Sequence, residues 1–162
     1  MTKLSRTLIA ATIALCAACA LAQTDAEKAF NSIKNMPGTW EGTSAEGPVT
    51  VTFKVTSGGS AVMSEILGKE DMISMFHMDN NRLLLTHYCA VGNQPRMQAT
   101  VSPNGKVITF TYFDATNLAA PDAAHMQQMI LTMIDDNHHT EEWVFAGQGK
   151  EHRVVFDLHR KA

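Results

Sequence analysis

An imidazole and a thiol two residues apart, His87 and Cys89, end one alternating run of residues, and a second imidazole, His125, opens another. Three chemistries use such a set. Imidazole and thiolate ligate borderline and soft transition metals. A thiol beside an imidazole begins a nucleophile–base pair. Imidazoles at the rim of an apolar wall orient a small molecule by hydrogen bonding.

The metal reading meets a spacing problem. Residues two apart on a strand are separated by ~6.6 Å along it, so His87 and Cys89 reach one ion only in favourable rotamers. No pair of candidate ligands has the spacing of a known metal motif. Ten methionines add soft sulfur, but Met63, Met72, Met75, Met78, Met129 and Met133 fall on strand patterns as core fillers do. The enzyme reading lacks parts: no third member, no oxyanion hole and no Gly-x-Ser-x-Gly elbow accompany Cys89. A single buried cysteine is more often an inert small hydrophobe. The expectation is therefore no metal, no cofactor and no catalysis. The binding reading assigns ligand contacts to His87, Tyr88, Cys89, Arg96, His125 and Met129. Alternation puts Tyr88 on the outer face unless the strand bulges. Arg96 either clamps a ligand carboxylate or pairs with Asp114 to hold a loop down. The competing reading makes His87 and His125 core imidazoles satisfied by polar neighbours.

These residues depend on strands to position them. Leu83, Leu85, His87 and Cys89 share one face by period two, and Leu84, Thr86, Tyr88 and Ala90 the other. Gly92-Asn93-Gln94-Pro95 forms a polar elbow into Arg96 and Met97. On the His125 strand, His125, Gln127, Met129, Leu131 and Met133 are expected inside. The clearest strand is Val49 to Thr56, where Val49, Val51, Phe53 and Val55 alternate with polar residues. Short turns follow at Ser57-Gly58-Gly59, Asp79-Asn80-Asn81, Pro103-Asn104-Gly105, Asp135-Asp136-Asn137 and Gly147-Gln148-Gly149. His138 and His139 beside Asp135 and Asp136 read as a solvated hairpin tip, able at most to hold a stray divalent ion weakly and without functional meaning. Asp114 to Ala124 is the longest irregular stretch, and loops of this length are disproportionately functional. Thr24-Asp25-Ala26-Glu27 fits a capping box opening a short amphipathic helix that Pro37-Gly38 ends. Trp40 and Trp143 are expected to pack at a barrel end.

The predicted fold is all-β: an antiparallel up-and-down β-barrel of about ten strands with one short N-terminal helix. Short sequential hairpins favour a closed meander over a sandwich, and closure removes sheet edges.

Residues 1–22 read as a signal peptide, with Lys3 and Arg6 before the apolar Leu8 to Leu15 and a small-x-small site at Ala20-Leu21-Ala22. The apolar run falls short of the roughly 20 residues a membrane span needs, so no stable membrane insertion is expected. Cleavage near Ala22-Gln23 would leave residues 23–162 as a single domain, periplasmic or secreted. Of 13 Lys plus Arg, Lys3 and Arg6 would be lost, leaving 11 against 16 acidic residues and a net charge of -5. Such a balance argues against a nucleic-acid partner. Cys89 would be the sole cysteine, so burial and not a disulfide must stabilise the domain.

Gly38-Thr39-Trp40 after a short helix resembles the Gly-x-Trp opening of lipocalin-like, or calycin, barrels. The series THYCAVGNQPRM (86–97), FDATNL (113–118), PDAAHM (121–126) and EEWVF (141–145) resembles a bacterial lipocalin-like family of unknown function over essentially the whole domain. The resemblance implies the barrel and little chemistry. A more distant resemblance is to haem-binding nitrobindin-like barrels, whose Gly-rich continuation this chain lacks. The resulting expectation is an exported, monomeric barrel that binds a small, largely apolar or amphipathic molecule in its lumen. The alternatives are a metal- or haem-binding barrel using His87 and His125, or a structural barrel with a packed lumen.

Overall fold

The computed structural model describes residues 23–68 and 70–162, so the signal peptide expected over 1–22 lies outside the described residues. One helix, α1 (Asp25–Lys34), precedes ten strands: β1 (Gly38–Ser44), β2 (Gly47–Thr56), β3 (Ala61–Leu67), β4 (Met72–Asp79), β5 (Arg82–Tyr88), β6 (Gln94–Val101), β7 (Val107–Thr116), β8 (His125–Asp135), β9 (His138–Gly147) and β10 (Lys150–Arg160). Every strand pairs antiparallel with its sequence neighbours, and β1 pairs with β10 to close the barrel. The closed up-and-down meander expected from the sequence is the observed architecture.

Local chemistry explains the ends of α1. The Thr24 hydroxyl accepts from the Glu27 amide at 3.2 Å, and the Glu27 carboxylate accepts from the Thr24 amide at 2.7 Å, completing the capping box. Ala29, Phe30 and Ile33 are buried on one side of the helix, which packs against β4, β5 and β6. The helix thus covers the barrel end where the β2–β3, β4–β5, β6–β7 and β8–β9 turns gather; we call this the closed end. The β1–β2, β3–β4, β5–β6, β7–β8 and β9–β10 connections gather at the opposite, open end.

Period-two alternation sends one face of each strand inward. Val51, Phe76, Leu85, Met97, Ile108, Phe110, Met129, Leu131 and Leu158 are fully buried and form one continuous core. A void large enough for a water-sized probe would expose the side chains lining it, and these have no measurable exposure. The middle of the lumen is therefore packed at these residues. Phe76 meets Phe110 edge-on with ring centroids 5.4 Å apart, a favourable aromatic geometry. Met63 and Met75, expected as core fillers, instead pair across the outer face of β3 and β4 and stay partly exposed.

Two departures from simple alternation matter for the site. An extra residue, Phe113, interrupts the β6–β7 ladder where Arg96 opposes Asp114 and Met97 opposes Tyr112. Gln127 is the extra residue of β8, where Met126 opposes Phe145 and Gln128 opposes Val144. Such bulges re-aim side chains and recur near barrel rims. Pairing with β6 also extends β7 through Thr116, so the expected irregular stretch shortens to residues 117–124. Likewise Gln94 and Pro95 belong to β6 and not to the elbow before it.

At the seam, β1 and β10 approach so closely that a Cβ on Gly42 would lie 1.7 Å from the Asp157 carbonyl oxygen. Only glycine fits there. At the open end, a Cβ on Gly147 would lie 2.3 Å from the Ala124 Cα, so the 117–124 loop lies directly on β9.

Candidate binding site at the open end

His87, Cys89 and His125 all lie toward the open end, but they do not form one centre. His87 is fully buried on β5, with Nδ1 3.0 Å from the Ser74 hydroxyl on β4 and its ring 4.9 Å from that of Trp143. Its Nε2 finds no hydrogen-bond partner among the described residues. Burial holds this imidazole well below its ordinary value, at about 4, so it is neutral near pH 7.

His125 is also buried, but through different neighbours. Its Nδ1 lies 2.6 Å from the Ala123 carbonyl, its Nε2 lies 2.6 Å from the Gln127 amide nitrogen, and its ring is 4.3 Å from that of Tyr112. In this arrangement Nδ1 can donate to the carbonyl and Nε2 can accept from the Gln127 amide. Both ring nitrogens are engaged, as the reading of satisfied core imidazoles expects. His87, Cys89 and His125 also do not converge as a three-donor cluster; among the described residues the cluster that does is elsewhere.

Cys89 is buried at the end of the β5 face. Burial pushes its thiol above the ordinary value and the Glu70 carboxylate adds to this, while hydrogen bonds from the Val91 and Ala90 backbone pull part of the way back. A raised thiol holds little thiolate near neutral pH, the opposite of what a nucleophile requires.

The remaining expected contacts separate. Tyr88 stands on the outer face, half exposed beside Ile73. Arg96 also points outward: its Nε donates to Asp114 at 2.6 Å, a second bond joins the same carboxylate, and its guanidinium lies over the Phe113 ring. The ion-pair reading of Arg96 is the observed one, and Arg96 is not placed to clamp a molecule in the lumen. Met129 lies between Phe110 and Trp143 with no accessible surface, so it is core and not an open wall.

Sequence reasoning missed a buried polar ladder on β9. His139, Glu141 and Trp143 face inward together, and His139 and Glu141 are fully buried. The Trp143 indole donates to Glu141 at 2.9 Å, and His139 Nε2 lies 3.3 Å from the other carboxylate oxygen. His139 is therefore no part of a solvated tip; it packs edge-on against Trp40 at 4.3 Å. The signal was available: placing Trp143 inside places Glu141 and His139 on the same face by alternation. Asp135 and Asp136 beside His138 and His139 gave the start of this strand the look of a solvated tip.

An accessible cleft of about 220 Å³ does open at this end, lined by Ser44, Glu46, Pro48, Val49, Ile66, Gly68, Glu70, Met72 and Phe156. It lies between the β1–β2 and β3–β4 hairpins, with Val49, Ile66 and Phe156 as its floor. None of the six residues expected to bind lines it, although Glu70 acts on Cys89 through its charge. The opposite side of the rim is occupied by the 117–124 loop, tied by Asn117 to the Gly92 carbonyl at 2.7 Å, by Asn93 to the Ala124 carbonyl at 2.9 Å, and by the Gln148 amide to the Asp122 carbonyl at 3.3 Å.

A larger cleft of about 520 Å³ lies at the closed end, between α1 and the β8–β9 hairpin. Its lining mixes apolar side chains, Met36, Trp40, Met133 and the half-exposed Ile134, with the polar Asn35, Lys106, Asp135, Asp136 and Arg160. Arg160 is already engaged there, donating to the Pro37 carbonyl at 2.8 Å and stacking over Trp40 at 4.3 Å. Comparison of the chain with protein-family models and with curated proteins found no match.

Proposed function

We propose that this chain is an exported, lipocalin-like binding barrel that takes a small, largely apolar molecule at its open end and performs no catalysis. The observation that carries the reading is the cleft over Val49, Ile66, Met72 and Phe156, at the end that no helix of the described residues covers. Val49, Ile66 and Phe156 are themselves nearly buried, so a ligand there covers mainly Met72 and the rims of these side chains, at roughly 25 cal/mol per Å². At about 220 Å³ the cleft lies below the usual range for drug-sized ligands, so the molecule is small. Glu46 and Glu70 are the charged residues lining it among those described, which favours a neutral or cationic polar end over a carboxylate. Export is supported by the charge and apolar pattern of residues 1–22, and the absence of catalysis by the raised Cys89 thiol.

The test is a titration of the purified mature protein with a neutral naphthylamine fluorophore. One saturable equivalent, displaceable by small apolar amines and indifferent to EDTA, is the expected outcome. A fluorophore that never saturates, or that binds only after unfolding begins, contradicts it. A second reading, a structural barrel acting through its surface, is favoured by the packed middle of the lumen; it predicts that second outcome.

A further inference from the structure

Away from the open end, on the outer face beside the barrel seam, three donors converge. His138 of β9, with Asp157 and His159 of β10, bring one ligand atom each within 4.8 Å of one another. The ladder fixes them: His138 opposes His159 directly, and Asp157 is two residues before His159 and so on the same face. The imidazoles stack with ring centroids 4.0 Å apart and an interplanar angle of 22°, which turns both Nε2 atoms toward the same carboxylate oxygen. Nε2 of His138 lies 2.6 Å from Asp157 Oδ1, and Nε2 of His159 lies 3.8 Å from it.

We propose that His138, Asp157 and His159 form a binding site for a late divalent transition-metal ion, with Zn2+ or Cu2+ as its natural class. The donor set of two imidazoles and one carboxylate suits these ions and not the hard ions Mg2+ or Ca2+, which take oxygen. A tetrahedral ion with bonds of ~2.0–2.1 Å spaces its donors roughly 3.3 Å apart. The distances of 2.6 and 3.8 Å straddle that value, so sub-ångström side-chain shifts on a rigid ladder complete the geometry. Without metal, the 2.6 Å contact requires a proton between His138 and Asp157; the ion takes the place of that proton on Nε2. Three protein ligands leave one tetrahedral position for water or an outside ligand. Glu41 of β1 opposes His159 in register, but its carboxylate is paired with the Lys161 ammonium at 2.6 Å and adds no net charge beside the site. A bound ion would join β9 to β10 next to the strand that closes the barrel.

The site is exposed, so its residues can be changed without disturbing the core. Isothermal titration of the mature protein with Zn2+ is expected to show one saturable equivalent with a dissociation constant on the order of micromolar. His138→Ala, His159→Ala and Asp157→Asn are each expected to weaken it by at least about tenfold, with an unchanged far-ultraviolet spectrum. In the same titrations Zn2+ should raise the wild-type melting temperature and leave that of the His138→Ala/His159→Ala double variant unmoved. Retention of the equivalent by the double variant, on Cys89, His152 or any other group, overturns the proposal. So does a wild-type protein that takes up no Zn2+ at millimolar concentration.

Discussion

The two ends of this barrel are built from the same alternating strands and finished in opposite ways. At the closed end the polar and aromatic groups bond to one another: Trp40 donates to the Met36 carbonyl at 2.9 Å, Arg160 covers the Trp40 ring, and α1 lies over the opening. At the open end no helix of the described residues intervenes, loops are tied side to side along one rim, and the other side leaves a cleft with an apolar floor. One end is committed to closing the fold, and the proposed binding site lies at the other. Stability and binding should therefore respond to substitutions at different ends.

The largest expected effect is at the closed end. Trp40→Ala removes a buried ring together with its bond to Met36 and its stack under Arg160, and should cost about 3–5 kcal/mol in urea unfolding. A cost under about 1 kcal/mol would mean that the closed end does not hold the barrel shut.

Next comes the acid response of the open end, through His87. Its folded-state value is lowered, so the unfolded chain binds the extra proton. The stability that neutral His87 confers is complete above about pH 6.5 and is lost as pH falls toward 4. The span amounts to roughly 3 kcal/mol. His87→Gln should flatten the unfolding free energy over that window; an unchanged acid limb would assign the loss to other groups.

Much of this contrast was legible in the sequence, and particular residues show why the rest was not. Val49 to Thr56 alternates cleanly, Leu83 to Cys89 does so from Leu85 on, and the capping box at Thr24 marks α1, so strand order and closure followed from local pattern. The candidate site was less legible because two single extra residues, Phe113 and Gln127, re-aim the strands at the rim. Asp114-Ala115-Thr116 has weak strand propensity, yet it pairs with Gln94 to Arg96, a tertiary effect that no local pattern reveals. The open cleft is formed by hairpins distant in sequence, so its lining could not be assembled from one stretch of chain.

A smaller effect is expected at Cys89. Its raised thiol should react slowly with a bulky disulfide reagent, with a rate that climbs through alkaline pH and no plateau below neutrality. Cys89→Ala should cost on the order of 1 kcal/mol through lost packing. A fast plateau below about pH 7 would reinstate a reactive thiol at the open end. Smallest of all, Arg96→Ala should leave the urea unfolding midpoint almost unchanged, because the pair with Asp114 is exposed. It should leave fluorophore binding intact, since Arg96 faces outward.

The division between the ends is tested most directly by filling each cleft in turn and titrating the neutral naphthylamine fluorophore. Met72→Trp places an indole in the open-end cleft, and Met133→Trp places one in the closed-end cleft. The account predicts that Met72→Trp abolishes the saturable equivalent while Met133→Trp binds as wild type, with both proteins folded by circular dichroism. Binding that survives Met72→Trp and is lost in Met133→Trp would contradict it.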